Sequence, residues 1–146
     1  MTFRALLDRS IHLAGWLQAK GMETGDKFAC MSKNNLAFIE LYFASSLAGT
    51  VFVPLNFRLA SNEVQYILEH CDARLLFVEE EFLDLILSIR EQLPNIEDIV
   101  VIGEDLEEAY NRYIRYEDIY RMETAFEEVE TLTDDDPHVI VYTSGT

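Results

Sequence analysis

The chain has 146 residues, 49% of them hydrophobic, which suits one domain with a real core rather than a disordered segment. Its 27 acids against 11 bases leave a formal charge of −16. Such a surface repels phosphate backbones and anionic lipid heads, so nucleic-acid and membrane-surface partners are excluded as expectations.

Phe3, Leu6, Leu7, Ile11, Ala14 and Leu17 recur at helical steps and predict a first helix, stopped near Gly21. Gly25 and Asp26 turn the chain into a short strand over Lys27 to Met31. Asn34 or Asn35 can cap a second helix, Leu36 to Ala48, apolar on almost every side and so expected to be deeply buried. A strand follows over Val51 to Leu55. The twenty residues from Leu36 to Leu55 carry one charge, Glu40. Gly49 and Pro54 interrupt them, and they read as a buried helix and strand, not a membrane span.

Ser61 can cap a third helix with Glu63 in its first turn, and Val64, Ile67 and Leu68 as its buried stripe. Ala73 to Val78 reads as a strand. Glu80 to Leu93 reads as a helix ended by Pro94, and Ile99 to Ile102 as a strand closed by Gly103. Helices and apolar strands alternate with short links. That order predicts an α/β fold, a mostly parallel sheet with helices on both faces.

Residues 104–136 hold thirteen acids and read as a solvated acidic connecting segment with one or two short helices, within a single α/β subdomain spanning 1–146. Tyr110, Tyr113, Tyr116 and Tyr120 fall at three- and four-residue steps there, an aromatic stripe expected to lie on the main body. Pro137 opens a final strand through Val139, Ile140 and Val141. Cys30 and Cys71 are far apart, and no signal peptide opens the chain, so two reduced, buried thiols in a cytoplasmic protein are expected. His12, His70 and His138 lack ligand spacing and read as ordinary surface or core histidines; no metal site is expected.

The last residues carry the chemistry. Val139, Ile140 and Val141 feed into Tyr142-Thr143-Ser144-Gly145-Thr146. A buried parallel strand ends at the edge of the sheet where ligands bind. Glycine lets successive N–H groups converge on one anion, and hydroxyls add uncharged donors. Thr143, Ser144, Gly145 and Thr146 are therefore candidate phosphate-binding residues, although no cation lies near them in sequence.

The whole chain resembles the start of the AMP-forming acyl-adenylate synthetases, which include acyl-CoA synthetases, firefly-type luciferases and peptide-synthetase adenylation domains. Tyr142 to Thr146 resembles the first half of that family's phosphate loop, and Asp135-Asp136-Pro137 fits just before it. The segment from Leu47 to Asn56 resembles the family's early alanine-glycine … valine-proline-leucine stretch, continued by Arg58-Leu59 and the helix with Glu63. For the Gly49–Asn56 segment, tight helix-to-strand packing is expected.

The resemblance, most marked toward a fatty-acid–CoA ligase, implies two steps. A carboxylate attacks the α-phosphate of ATP with Mg2+, releasing pyrophosphate, and a thiol such as coenzyme A then takes the acyl group. It gives Thr143, Ser144, Gly145 and Thr146 the task of holding the β- and γ-phosphates, with no nucleophile and no catalytic residue among them. It also implies that this chain covers about the first quarter to third of such an enzyme, ends inside the loop, binds no cofactor alone and catalyses nothing alone. Exposed sheet edges would then favour a homo-oligomer. A free-standing flavodoxin-like binding or interaction module is the alternative on residue pattern alone.

Overall fold

The computed structural model describes residues 1–104 and 106–143. The first apolar stripe forms α1 (Phe3–Ala19), with the Thr2 hydroxyl accepting from the Ala5 N–H at 3.1 Å. Strand β1 (Lys27–Met31) follows, then α2 (Leu36–Ala48), capped by Asn35 Oδ1, which accepts from the Phe38 N–H. Gly49 ends α2 at φ 70°, the left-handed conformation that glycine adopts without strain. The chain continues through β2 (Val51–Leu55), α3 (Ser61–Cys71), β3 (Leu75–Glu79), α4 (Leu83–Ser88), β4 (Asp98–Ile102) and β5 (Ile114–Arg115).

All four strand pairings are parallel, and the sheet order is β2-β1-β3-β4-β5. Alternate residues of each strand serve opposite faces. Phe28, Cys30, Phe52, Phe77 and Val100 pack with α1 and α2. Ala29, Met31, Val53, Leu76, Val78 and Val101 pack with α3 and α4. The strands read as continuous apolar runs because both faces are covered, and the predicted α/β architecture is the one observed.

Five details differ from the sequence expectations. The cap of α3 is Ala60, not Ser61, and Ala60 has no side-chain acceptor; Glu63 still reaches back, its Oε2 accepting from the Ala60 N–H at 2.8 Å. The helix expected over Glu80 to Leu93 is broken into a 3-10 turn (Glu80–Phe82), α4 and a second 3-10 turn (Arg90–Gln92). The Ser88 hydroxyl donates to the Leu85 carbonyl, and Arg90 donates to the carbonyls of Leu93 and Ile96, bonds that stabilise the ends of short turns.

Helix α2 is not buried all round: Leu36, Ile39, Tyr42 and Phe43 are exposed while Ala37, Leu41 and Ala44 face the core. The segment 104–136 carries short helices as expected but is more than a solvated connection, because it also supplies β5, and Tyr116 and Ile119 of its 3-10 helix (Tyr116–Arg121) are core residues. The tyrosine stripe does lie on the main body, as its spacing predicts. Finally, the terminal strand is reduced to one parallel bridge, Val139 beside Phe52. The Phe52 N–H donates to the His138 carbonyl and the Ile140 N–H to the Phe52 carbonyl. The next donor on that side of β2 would be residue 54, a proline without an N–H, so the ladder stops.

Candidate functional site

That single bridge decides where the tail goes. It aligns residues 138–140 parallel to β2, outside it, so the chain leaves the sheet in the same direction as Leu55. Thr143 arrives, exposed, at the carboxyl end of β2, in a cleft of about 430 Å3. Pro54, Asn56 and Leu59 form one wall, and Asn62, Glu63 and Tyr66 of α3 the other. Ser144, Gly145 and Thr146 lie outside the described residues. The structure therefore places the first of the four predicted phosphate-binding residues at a sheet rim, and the grouping of the other three with it is untested.

The donors in this cleft suit a phosphate only in part. The Thr143 hydroxyl and the amides of Asn56 and Asn62 are uncharged. Asn56 Oδ1 accepts from the Arg58 N–H at 3.0 Å, and Glu63 is engaged with Ala60. Among the described residues lining the cleft there is no lysine or arginine. A cation must come from elsewhere for this cleft to hold pyrophosphate oxygens.

A second, larger crevice of about 840 Å3 opens at the carboxyl ends of β3 and β4, beneath the start of α2. The strand order is the flavodoxin-like one, whose ligand site falls between β1 and β3. Here that position is lined by Glu79, Glu80, Glu81 and Glu104. Glu79 accepts the Lys33 N–H at 2.8 Å, and Glu81 pairs with the Lys33 ammonium at 2.7 Å. With Glu40 and Glu117, six carboxylates line the crevice against the single guanidinium of Arg9, which is itself paired with Glu40 and Glu117. The excess of negative charge repels a phosphate, so this crevice does not serve as the anion site of that fold class.

Below the crevice sits a buried polar cluster that the sequence hinted at only through one charge in an apolar helix. The Glu40 carboxylate is fully buried on α2. It accepts from Arg9 Nε at 2.6 Å, Arg9 Nη2 at 3.2 Å, the Tyr116 hydroxyl at 2.6 Å and the Tyr120 hydroxyl at 3.0 Å. Arg9 also pairs with Glu117 at 2.9 Å and lies 3.6 Å from the Tyr120 ring centre. Partial burial alone would pull the Arg9 guanidinium down, but its bonds to Glu40 and Glu117 outweigh that and hold it above its usual range. Burial, with the nearby carboxylate, pushes both phenols above theirs. These are fixed charges and neutral donors, a satisfied clasp among α1, α2 and the Tyr116–Arg121 turn.

Neither thiol is placed for nucleophilic work. Cys30 is fully buried, and burial pushes its thiol up to about 12; Cys71 is also raised, mainly by burial. Among the described residues no cluster of three metal-ligating side chains occurs, and no helix is long and apolar enough to cross a membrane.

Comparison with known proteins places this geometry. The family described as AMP-binding enzyme matches residues 1–146. The medium-chain fatty-acid–CoA ligase of Escherichia coli (strain K12) is 31% identical over 150 residues, covering 99% of this chain and 26% of that protein. The probable acyl-activating enzyme 21 of Arabidopsis thaliana is 32% identical over 149 residues, covering 99% and 27%. Among solved structures, an anthranilate–CoA ligase in complex with anthranoyl-AMP matches with a TM-score of 0.90 at 32% identity, over 99% of this chain and 27% of that one. The chain thus spans about a quarter of the length of the curated relatives it matches.

Proposed function

The chain belongs to the AMP-binding enzyme family, and from that premise we propose that it is the part of an ATP-dependent acid–thiol ligase that begins the grip on the nucleotide's phosphates. In this reading a carboxylate oxygen attacks the α-phosphorus of ATP. The bond to pyrophosphate breaks, and an acyl-adenylate forms. A thiol, that of coenzyme A, then attacks the acyl carbon and AMP leaves. The acyl donor is a carboxylic acid of the fatty-acid class, by analogy with the medium-chain fatty-acid–CoA ligase of Escherichia coli.

The observation that carries the proposal is the position of Thr143. A neutral hydroxyl donor stands at the carboxyl end of β2, delivered there by the Phe52–Val139 bridge. With Ser144, Gly145 and Thr146 it would hold the β- and γ-phosphates, stabilising charge and fixing the leaving group. No described residue is assigned to magnesium, which in this reading arrives on the nucleotide's own phosphates. In this reading the phosphate grip supplies no nucleophile and no catalytic residue, and this chain by itself is inactive. A cytoplasmic location and the absence of nucleic-acid partners belong to the same proposal.

The test is pyrophosphate release by the complete polypeptide that carries this chain, given Mg·ATP, coenzyme A and a panel of fatty, aromatic and hydroxy acids. Release should depend on all three, and Thr143→Ala should lower kcat/KM for ATP about ten- to a hundredfold, the range for a hydrogen bond to a charged group. No release with any acid refutes the proposal.

A further inference from the structure

We infer that His70 is a positioning residue for Thr143, acting through a hydrogen bond between its imidazole and the hydroxyl of Tyr142, the residue just before it. The inference rests on the reading of Thr143 given above and deepens it. His70 Nδ1 and the Tyr142 hydroxyl are 2.7 Å apart. The His70 ring is held from two sides: Tyr66 stacks on it with centres 5.5 Å apart at 22°, and Tyr142 meets it edge-on at 5.7 Å and 88°. All three side chains belong to the wall of the Thr143 cleft or its immediate support on α3.

The need for such a tether follows from the backbone. Sheet hydrogen bonding to the tail ends at the Ile140 N–H, because Pro54 offers no further donor. Among the described residues no backbone hydrogen bond fixes residues 141–143. The loop entry therefore depends on side chains. Ile140 and Tyr142 pack against the α3 face of the sheet, and the Tyr142–His70 pair is the directional contact. An anion cradle made of hydroxyls and N–H groups stabilises charge only if its donors are fixed beforehand. Burial raises the Tyr142 phenol above its ordinary range, which keeps it protonated. It then donates to Nδ1, which places the ring N–H at Nε2.

Two measurements test this. In the chain itself, nitrogen-15 NMR should show His70 with the proton on Nε2. The Thr143 amide order parameter should fall in both Tyr142→Phe and His70→Phe, and recover in His70→Asn, which keeps a polar atom near the Nδ1 position. An unchanged Thr143 order parameter in both variants overturns the tether, whatever the activity.

In the complete polypeptide, Tyr142→Phe and His70→Phe should each raise KM for Mg·ATP about three- to tenfold, the size of one neutral hydrogen bond, and leave KM for the acid and the thiol within about twofold. The double variant should be no worse than either single one, and His70→Asn should recover most of the loss. An active wild type with unchanged ATP KM in both variants, or additive losses in the double variant, refutes the tether. An inactive wild type refutes the proposed function instead, and the order parameters then decide the tether alone.

Discussion

Glu40 is a buried carboxylate, the one charged residue of α2. A carboxylate removed from water loses several kcal/mol of solvation, and only its partners offset this. Here Arg9 and two phenols supply four bonds to its two oxygens. Removing Arg9 leaves the buried Glu40 charge without its counter-ion, so Arg9→Ala should destabilise the chain by about 3–5 kcal/mol, whereas Glu40→Ala, which leaves a partly exposed Arg9 still paired with Glu117, should cost less. Replacing both with apolar residues of similar volume, as in Arg9→Met with Glu40→Leu, should cost less than the sum of the two single changes. Urea unfolding followed by fluorescence of Trp16, buried beside Phe77, measures all three. Single variants within about 0.5 kcal/mol of the parent would mean the clasp is not a net determinant of stability.

At the scale of elements, what was legible in the sequence divides by the physics that fixed it. Leu36 to Ala48 and Val51 to Leu55 appear with the expected bounds, because Asn35, Gly49 and the apolar runs are strong local signals. The break in Glu80 to Leu93 was not legible, since a fourteen-residue stretch without glycine or proline gave no hint that Ser88 and Arg90 would take up backbone carbonyls. Strand β5 was hidden too: two residues give no periodicity, and their pairing to Val100 and Val101 is a tertiary fact. Of the candidate site, the apolar strand pointed Thr143 to the sheet rim where it lies, whereas the neighbourhood of Asn56, Asn62 and His70 depends on how α3 lies against the tail; Ser144, Gly145 and Thr146 lie outside the described residues.

The misplaced cap of α3 gives a prediction of its own. Ala60 has the extended backbone of a cap (φ −75°, ψ 161°) and is exposed, with Glu63 already bonded to its N–H. A hydroxyl there would complete the reciprocal pair. Ala60→Ser should therefore stabilise the chain by about 0.5–1 kcal/mol in urea unfolding. A loss of stability would show that the geometry at the start of α3 does not accept a side-chain cap.

For the molecule as a whole, charge and apolar surface oppose each other. Ion pairs such as Lys20–Asp98 and Arg74–Glu97 are partly exposed, and each is worth only about 0.2–1 kcal/mol. Salt weakens them, but it also weakens the mutual repulsion of sixteen uncompensated negative charges, which is the larger effect. The melting temperature should thus rise as ionic strength goes from about 0.01 to 0.2 M and the screening length falls from about 30 Å to below 10 Å. The same screening lets copies approach. Phe3 (93% exposed), Leu7 (52%) and Phe43 (45%) then present an apolar face along α1 and α2 that no described segment covers. Sedimentation velocity should find a single small species at low salt and self-association at about 0.5 M. Phe43→Glu should keep the chain monomeric there while leaving the rise in melting temperature intact. If the parent chain stays monomeric at high salt, this face is not an association surface; if melting falls as salt is added, the ion pairs outweigh the excess charge.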